Sequence, residues 1–409
     1  MAALRAELGA REKAGDLSNG EAAKVARVVA EREIRGAKGE DAKKRVREAR
    51  ACTGELDGVL EERTKTHDEA GAEAAMALYD DGRLGKSTAR DWVTDPDDAW
   101  RAVGMRTLVR DEDAGARRKA FTDPGPRSRR AAMRAAGEVL DAREFDALVE
   151  AVRVDPEPMV RTEALRALVK LDDKATVLVN KLRDLWQVGD DALREDIAVA
   201  WALPKIYAAG GKDALAVLVA GGLGPGAIAG AGAVLRAPHA AKDLKASATA
   251  LLARTLENAT HRDRVHALAI ANLDDPTMLA AVEKAASDDE VDKTIRVAAL
   301  GRLARLAQTK GKRDAAVAKL EVLAASKQDD DDALASRARM ALAHAGDLRV
   351  QAWLEKELAA TEPHARLEAA DALAALGRSA RGAPLLADAD ASVRTRAACT
   401  LMVAARTPH

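Results

Sequence analysis

Aromatic side chains make up only 2% of this 409-residue chain: five Trp, two Tyr and two Phe. Stacking platforms for nucleobases are therefore scarce, and the alanine- and leucine-rich remainder has the profile of small-residue helix packing. The chain also lacks a net field. Charged residues reach 32%, yet the formal charge is −1, so no global charge commits it to nucleic acid or a membrane. Long apolar runs are missing but for one. Ala214–Leu235 carries no charge over 22 residues, and Gly221-Gly222-Leu223-Gly224-Pro225-Gly226 interrupts it. Neither half is long enough to span a bilayer, so a buried helix, a tight turn and a second small-residue helix (227–235) are expected. Met1-Ala2-Ala3-Leu4-Arg5-Ala6-Glu7 has no apolar stretch of the secretory kind.

What is present is a ladder. An arginine, a small residue three later and an apolar residue seven later return about every 33 residues, a period of the kind that marks a solenoid. The register positions are Arg101, Arg129, Arg161, Arg194, Ile228, Asp263, Arg296, Ala335, Arg366 and Arg394. Offsets of 0, +3 and +7 share one helical face. Leu168, Leu303 and Leu401, all at +7, are therefore expected to be core residues, as is Trp201. Asp95-Pro96, Asp123-Pro124 and Asp155-Pro156 stand six residues before an arginine, which suits a helix start with Asp as N-cap. Second helices are expected over 141–152, 172–186, 213–220, 277–286, 313–325 and 350–360. The fold expected is all-α: a right-handed αα-superhelical solenoid of about ten repeats.

Val160-Arg161-Thr162-Glu163-Ala164-Leu165-Arg166-Ala167-Leu168, Ile295–Leu303 and Val393–Leu401 resemble HEAT repeats, particularly the bacterial subgroup similar to the phycobilisome-lyase HEAT-like repeat. The resemblance covers residues 95–409. It implies an ionic ladder between neighbouring units, carried over to Asp95/Arg101, Asp123/Arg129, Asp155/Arg161 and Asp388/Arg394, with Arg296 and Arg366 in the same register. Ile228, Asp263 and Ala335 interrupt it. The resemblance does not settle function, because such repeats host unrelated roles.

Residues 1–94 fall outside the register and read as an N-terminal helical cap or a small helical domain, with helices over 21–34, 41–51 and 55–79. Ten stacked units between Cys52 and Cys399 place them far apart, so two free thiols and a cytoplasmic, reducing location are expected, an envelope location remaining open if a leader was trimmed. No catalytic constellation emerges. Gly85-Lys86-Ser87-Thr88 lacks the first glycine of a phosphate loop, and His261-Arg262-Asp263 lacks the asparagine of a kinase loop. None of the seven histidines precedes a glutamate, as the metal-binding His-Glu dipeptides of HEAT-like hydroxylases require. His266 reads as an interior histidine. The Asp329–Asp332 run lacks the alternation of a calcium loop. No cofactor and no metal are expected, and the tryptophans other than Trp201 show no cluster.

One surface feature stands out. Between residues 99 and 134 there are ten basic residues against four acidic ones. Arg106, Arg134 and Arg166 share the +5 position, flanked by Arg110, Arg130 and Lys170. In HEAT-like folds the second helix of each unit lines a concave groove, where these residues would form a basic stripe. Asp371 and Glu368 would make the far end of that groove acidic. The function expected is a non-enzymatic scaffold binding an acidic or extended protein partner. The alternative is a nucleic-acid-binding HEAT-like protein of the DNA-repair glycosylase type using the same stripe.

Overall fold

The computed structural model describes residue 10 and residues 17–325 and 332–406. The opening residues 1–7 and the aspartates at 329–331 lie outside the described residues. Helices account for the fold, with no strand among the described residues, and none is long and apolar enough to cross a membrane. The chain divides into two compact units: residues 90–319, and residues 1–89 together with 320–409.

In the unit of residues 90–319, helix pairs stack in chain order. The register helices Asp98–Met105, Pro126–Val139 and Pro158–Leu168 pack in succession, as do Asp191–Trp201 and Pro225–Arg236. Small residues at +3 permit the approach. A Cβ on Gly104, at +3, would stand 2.3 Å from the backbone nitrogen of Val93; at +8 of the next helix, a Cβ on Gly137 would stand 3.2 Å from the Cα of Ala167. Leu168 and Leu303 are buried, and Trp201 is only 4% exposed. The uncharged stretch forms Lys212–Gly221 and Pro225–Arg236, joined by Gly222 and Gly224 at φ +151° and +153°, backbone that side chains rarely tolerate. The second of these helices is largely buried. The first is not: Val217 is 74% exposed.

In the other unit, Asn19–Gly36, Gly39–Glu48, Asp57–Thr64 and Glu69–Asp80 form helical hairpins. Ser18 and Glu21 close a capping box at the first, and Asp68 caps the last. A single helix over 55–79 was expected. Instead the chain turns at His67 (φ +46°), where Asp68 accepts from the Gly71 amide and starts a new helix. Asn19–Gly36 packs against the last helix, Ala391–Arg406, which in turn packs on Pro363–Ala375. Leu17, Val29, Ile34, Val46, Leu56 and Leu60 share one apolar cluster with Leu386, Leu401 and Met402.

Two expectations are corrected by this packing. Cys52 and Cys399 are not free thiols. They form a disulfide with Cα atoms 5.4 Å apart, because the N-terminal hairpins take the place of a next repeat beside the last helix. The inference of a reducing location, which rested on free thiols, loses its support. The tryptophans also pair: Trp92 meets Trp100 at 4.5 Å and Trp186 meets Trp201 at 5.2 Å between ring centroids.

Candidate functional site: the arginine-register face

The register aspartates do not cap helices. The helices start at Asp98, Pro126 and Pro158, with Asp97, Gly125 and Glu157 as N-cap residues, so each aspartate stands two residues earlier. Its carboxylate closes a turn instead. Asp95 accepts from the Asp97 amide, Asp123 from Gly125, Asp155 from Glu157 and Asp388 from Asp390, at 2.8–2.9 Å.

Each arginine then reads two turns at once. Arg101 donates through Nε and Nη2 to the Asp123 carboxylate, at 3.2 and 2.9 Å, and through Nη1 to the carbonyls of Asp95 and Pro96. Arg129 does the same to Asp155, at 2.8 and 3.0 Å, and to the carbonyls of Asp123 and Pro124. Such planar, forked donation is specific to guanidinium. The carboxylate partner is thus the aspartate of the following unit, while the arginine's own unit supplies carbonyls. Arg161 reaches Asp190 at 2.5 Å, and Arg366 lies 2.9 Å from Asp388. Arg394, the last rung, donates to Glu33 of the Asn19–Gly36 helix at 2.9 and 2.6 Å. Among the described residues Arg296 reaches no following unit. It pairs at 2.9 Å with Asp289, seven residues before it.

Burial raises the Asp123 carboxyl's affinity for a proton, but the hydrogen bonds from Arg101 and the Gly125 amide outweigh it and hold the group below the usual carboxylate range. Glu33 behaves likewise: burial pushes it up, and bonding by Arg394 and Arg32 brings it below.

A second ladder runs through the intervening helices, and the register did not reveal it. Arg90 pairs with Asp113, whose carboxyl that pairing holds low. The fully buried Arg117 donates to Glu144 at 2.9 Å and to the carbonyls of Leu108 and Arg110. Burial pushes Glu144 up despite that partner. Asp98 reaches across a repeat to accept from the amides of Arg127 and Ser128, at 3.1 and 3.0 Å, so it caps the next register helix. Arg313 was also missed. It donates to the carbonyls six and five residues back, as the register arginines do, and is followed by buried Ala316 and Leu320 at +3 and +7. That signal was readable.

The basic stripe is smaller than expected. Arg106, the residue that ends its helix, is only 5% exposed and binds Glu138 at 2.7 Å. Arg110, in the turn beyond, is exposed and lies 3.5 Å from Glu112. Lys170 also follows its helix and donates to the Gly137 carbonyl. Arg134 and Arg166 remain exposed at equivalent places on adjacent helices, with Arg130 beside them. Glu163 is buried, 3.6 Å from Arg130 and 3.7 Å from Arg166. Arg130 and Arg166 thus share one buried carboxylate as counter-charge.

In the other unit the same register face forms a groove of about 510 Å³, lined in part by Leu367, Asp371, Ala374, Arg396, Thr400 and Val403. Thr400 donates to Asp371 at 3.0 Å across it. Cys399 and, from the N-terminal hairpins, Glu48 and Ala51 complete the wall. Among the described residues no group of three or more His, Cys, Asp or Glu is arranged to hold a metal ion. His266 is half-buried.

No protein-family model and no curated protein matches the chain. Solved structures similar to it include the complex of CpcE and CpcF of phycocyanin lyase from Nostoc sp., at 19% identity over 58% of this chain and 94% of that one, with a TM-score of 0.33. The Escherichia coli protein YibA is 16% identical over 64% and 93%, with a TM-score of 0.37. Importin beta is 13% identical over 87% and 55%, with a TM-score of 0.39. At these scores neither activity nor partner passes to this chain. Its own helix pairs stack in chain order and are tied by arginines that bridge successive turns.

Proposed function

We propose that the chain is a non-enzymatic protein-interaction scaffold whose register face takes an extended, acidic segment of a partner protein. The observation that supports this most directly is the exposure of Arg134 and Arg166 at equivalent places on adjacent helices, with Arg130 and Arg166 within 4 Å of the buried Glu163. A cationic patch of this kind attracts carboxylates and raises the rate of encounter. Ion pairs wholly on the surface contribute little. Here the arginines are held on adjacent packed helices, so less side-chain freedom is lost on binding than from separate flexible sites. In the other unit the same register positions line the groove around Leu367 and Val403, an apolar seat of the size that binds side chains of a peptide.

The test is fluorescence anisotropy with a labelled acidic peptide and, separately, a labelled DNA duplex, against the full chain and an R134A/R166A variant. Arg106 is left intact because it is structural. Peptide binding that weakens with salt and falls at least roughly tenfold in the variant supports the reading, each lost charge-assisted contact being worth a factor of this order. Equal binding by both proteins, or none, overturns it. Tighter binding of the duplex, lost in the variant, would put the nucleic-acid reading in its place.

A further inference from the structure

Cys52 and Cys399 are separated by 347 residues and joined within one compact unit. Cys52 belongs to the 3₁₀ segment Arg50–Glu55, and Cys399 to the last helix. Both residues are buried, at 1% and 4% exposure. The residues just before Cys52, Glu48 and Ala51, form one wall of the groove whose other walls come from Pro363–Ala375 and the last helix. Cys399 itself lines that groove, so a small thiol has a route to the bond from the groove side.

Other contacts hold the same wall more weakly or at its edges. Arg45 donates to Ser392 at 2.6 Å, Arg406 to Glu55 at 2.8 Å, and Arg394 to Glu33. Of these, only the disulfide ties the Arg50–Glu55 segment covalently to the last helix. The Ala49 carbonyl lies 3.3 Å from one sulfur and 3.7 Å from the other. In the reduced pair it is a ready acceptor for a thiol S–H, so reduction leaves no buried donor stranded. The site therefore suits both oxidation states, and Leu56, Leu60, Leu386, Leu401 and Met402 belong to the same apolar cluster as the two cysteines.

We propose that the Cys52–Cys399 disulfide is a redox-controlled clasp that forms in an oxidising compartment and holds the N-terminal wall of the groove against the last helix. Closing it breaks two S–H bonds and forms one S–S bond. Two electrons and two protons pass to the disulfide of an oxidoreductase or a small-molecule disulfide, which becomes a dithiol or a pair of thiols. Opening is the reverse, with a dithiol as reductant. The consequence for partner binding rests on the function proposed above, but the clasp itself is tested without a partner.

The experiment uses the full chain, purified without reductant after folding in an oxidising compartment. Maleimide labelling of the denatured chain is expected to find no free thiol before treatment with a dithiol and two after it. Hydrogen exchange is then compared for the oxidised, reduced and C52S proteins. Amides within residues 45–56 and 396–404 are expected to exchange at least roughly tenfold faster without the bond, while amides of 131–136, in the other unit, keep their rates. Two labelled thiols in the untreated protein would overturn the proposal. Unchanged exchange on reduction would do the same, and so would acceleration spread over the whole chain, which marks a general staple. The reduced wild-type chain keeps the test decisive should C52S fail to fold. Loss of peptide binding plays no part in these outcomes, so failure of the proposed function and failure of the clasp are told apart.

Discussion

Replacing Arg129 by methionine isolates what one rung of the ladder contributes. The guanidinium is largely buried and makes two bonds to the Asp155 carboxylate, at 2.8 and 3.0 Å, and two to the carbonyls of Asp123 and Pro124. Methionine keeps the apolar stem and removes all four. The Asp155 carboxylate, itself 6% exposed as a side chain, keeps the Glu157 amide but loses the cation that paired with it. Breaking a buried pair from one side costs about 3–5 kcal/mol, because the desolvated charge that stays behind is uncompensated. R129M is therefore expected to cost about 3–4 kcal/mol, and adding D155N should recover part of that loss. Arg143 is the control. It binds Asp141 closely enough to hold that carboxyl at about 2, yet its side chain is 67% exposed, so R143A should cost far less than R129M. Urea unfolding followed by helical circular dichroism, with hydrogen exchange to assign the transition to residues 90–319, measures each change. An R129M loss no larger than that of R143A would refute the reasoning.

Two further outcomes follow from the same contacts. Gly125 has φ −81°, ordinary for any residue, but a Cβ there would stand 1.8 Å from Oδ1 of Asp98. G125A should thus expel the carboxylate that caps the next helix and cost about 2 kcal/mol, while in a D98A background the same change should be nearly neutral; additive losses in urea unfolding would contradict this. Acid should weaken the fold. Asp123 and Glu33 titrate below their ordinary values when folded, so their contribution is complete above the unfolded values near 4 and is lost as pH falls through the lower folded values. The urea midpoint is expected to drop between about pH 5 and about pH 3, and a flat profile would show that the ladder carboxylates are not coupled to folding.

The helical stack was legible because its determinants are local and periodic. Arg129, Ala132 and Ala136 lie on one helical face by spacing alone, and the same offsets recur with Arg161, Ala164 and Leu168. Spacing also placed an aspartate beside each arginine. It did not show that Arg101 passes its own Asp95 carboxylate and takes Asp123 of the next unit, since offsets along one chain carry no record of which turn stacks above which. The stripe misled for a related reason. Counting +5 and +9 from the arginine assumes a helix that lasts that far. The first register helix ends at Met105, so Arg110 falls in the following turn, and Arg106 is taken up by Glu138.

The pairing of the chain's two ends lies beyond any periodic reading. A repeat pattern specifies how one unit meets the next, and the last unit's outer face carries the same pattern as all the others. Arg394 therefore looks identical to Arg129 in sequence, although its carboxylate is Glu33, 361 residues away and on a helix outside the register. A rung that still presents arginine, alanine and leucine at 0, +3 and +7 has an unsatisfied guanidinium and an uncovered apolar stripe unless something covers it. Arg394, Ala397 and Leu401 keep all three, with Leu401 only 3% exposed. The Ala391–Arg406 helix keeps this face apolar, and the amphipathic Asn19–Gly36 helix, with Glu33 near its end, is the segment that covers it. The two cysteines obey the same logic: what separates them along the chain does not set their distance once the last repeat's neighbour is supplied from the first hairpins.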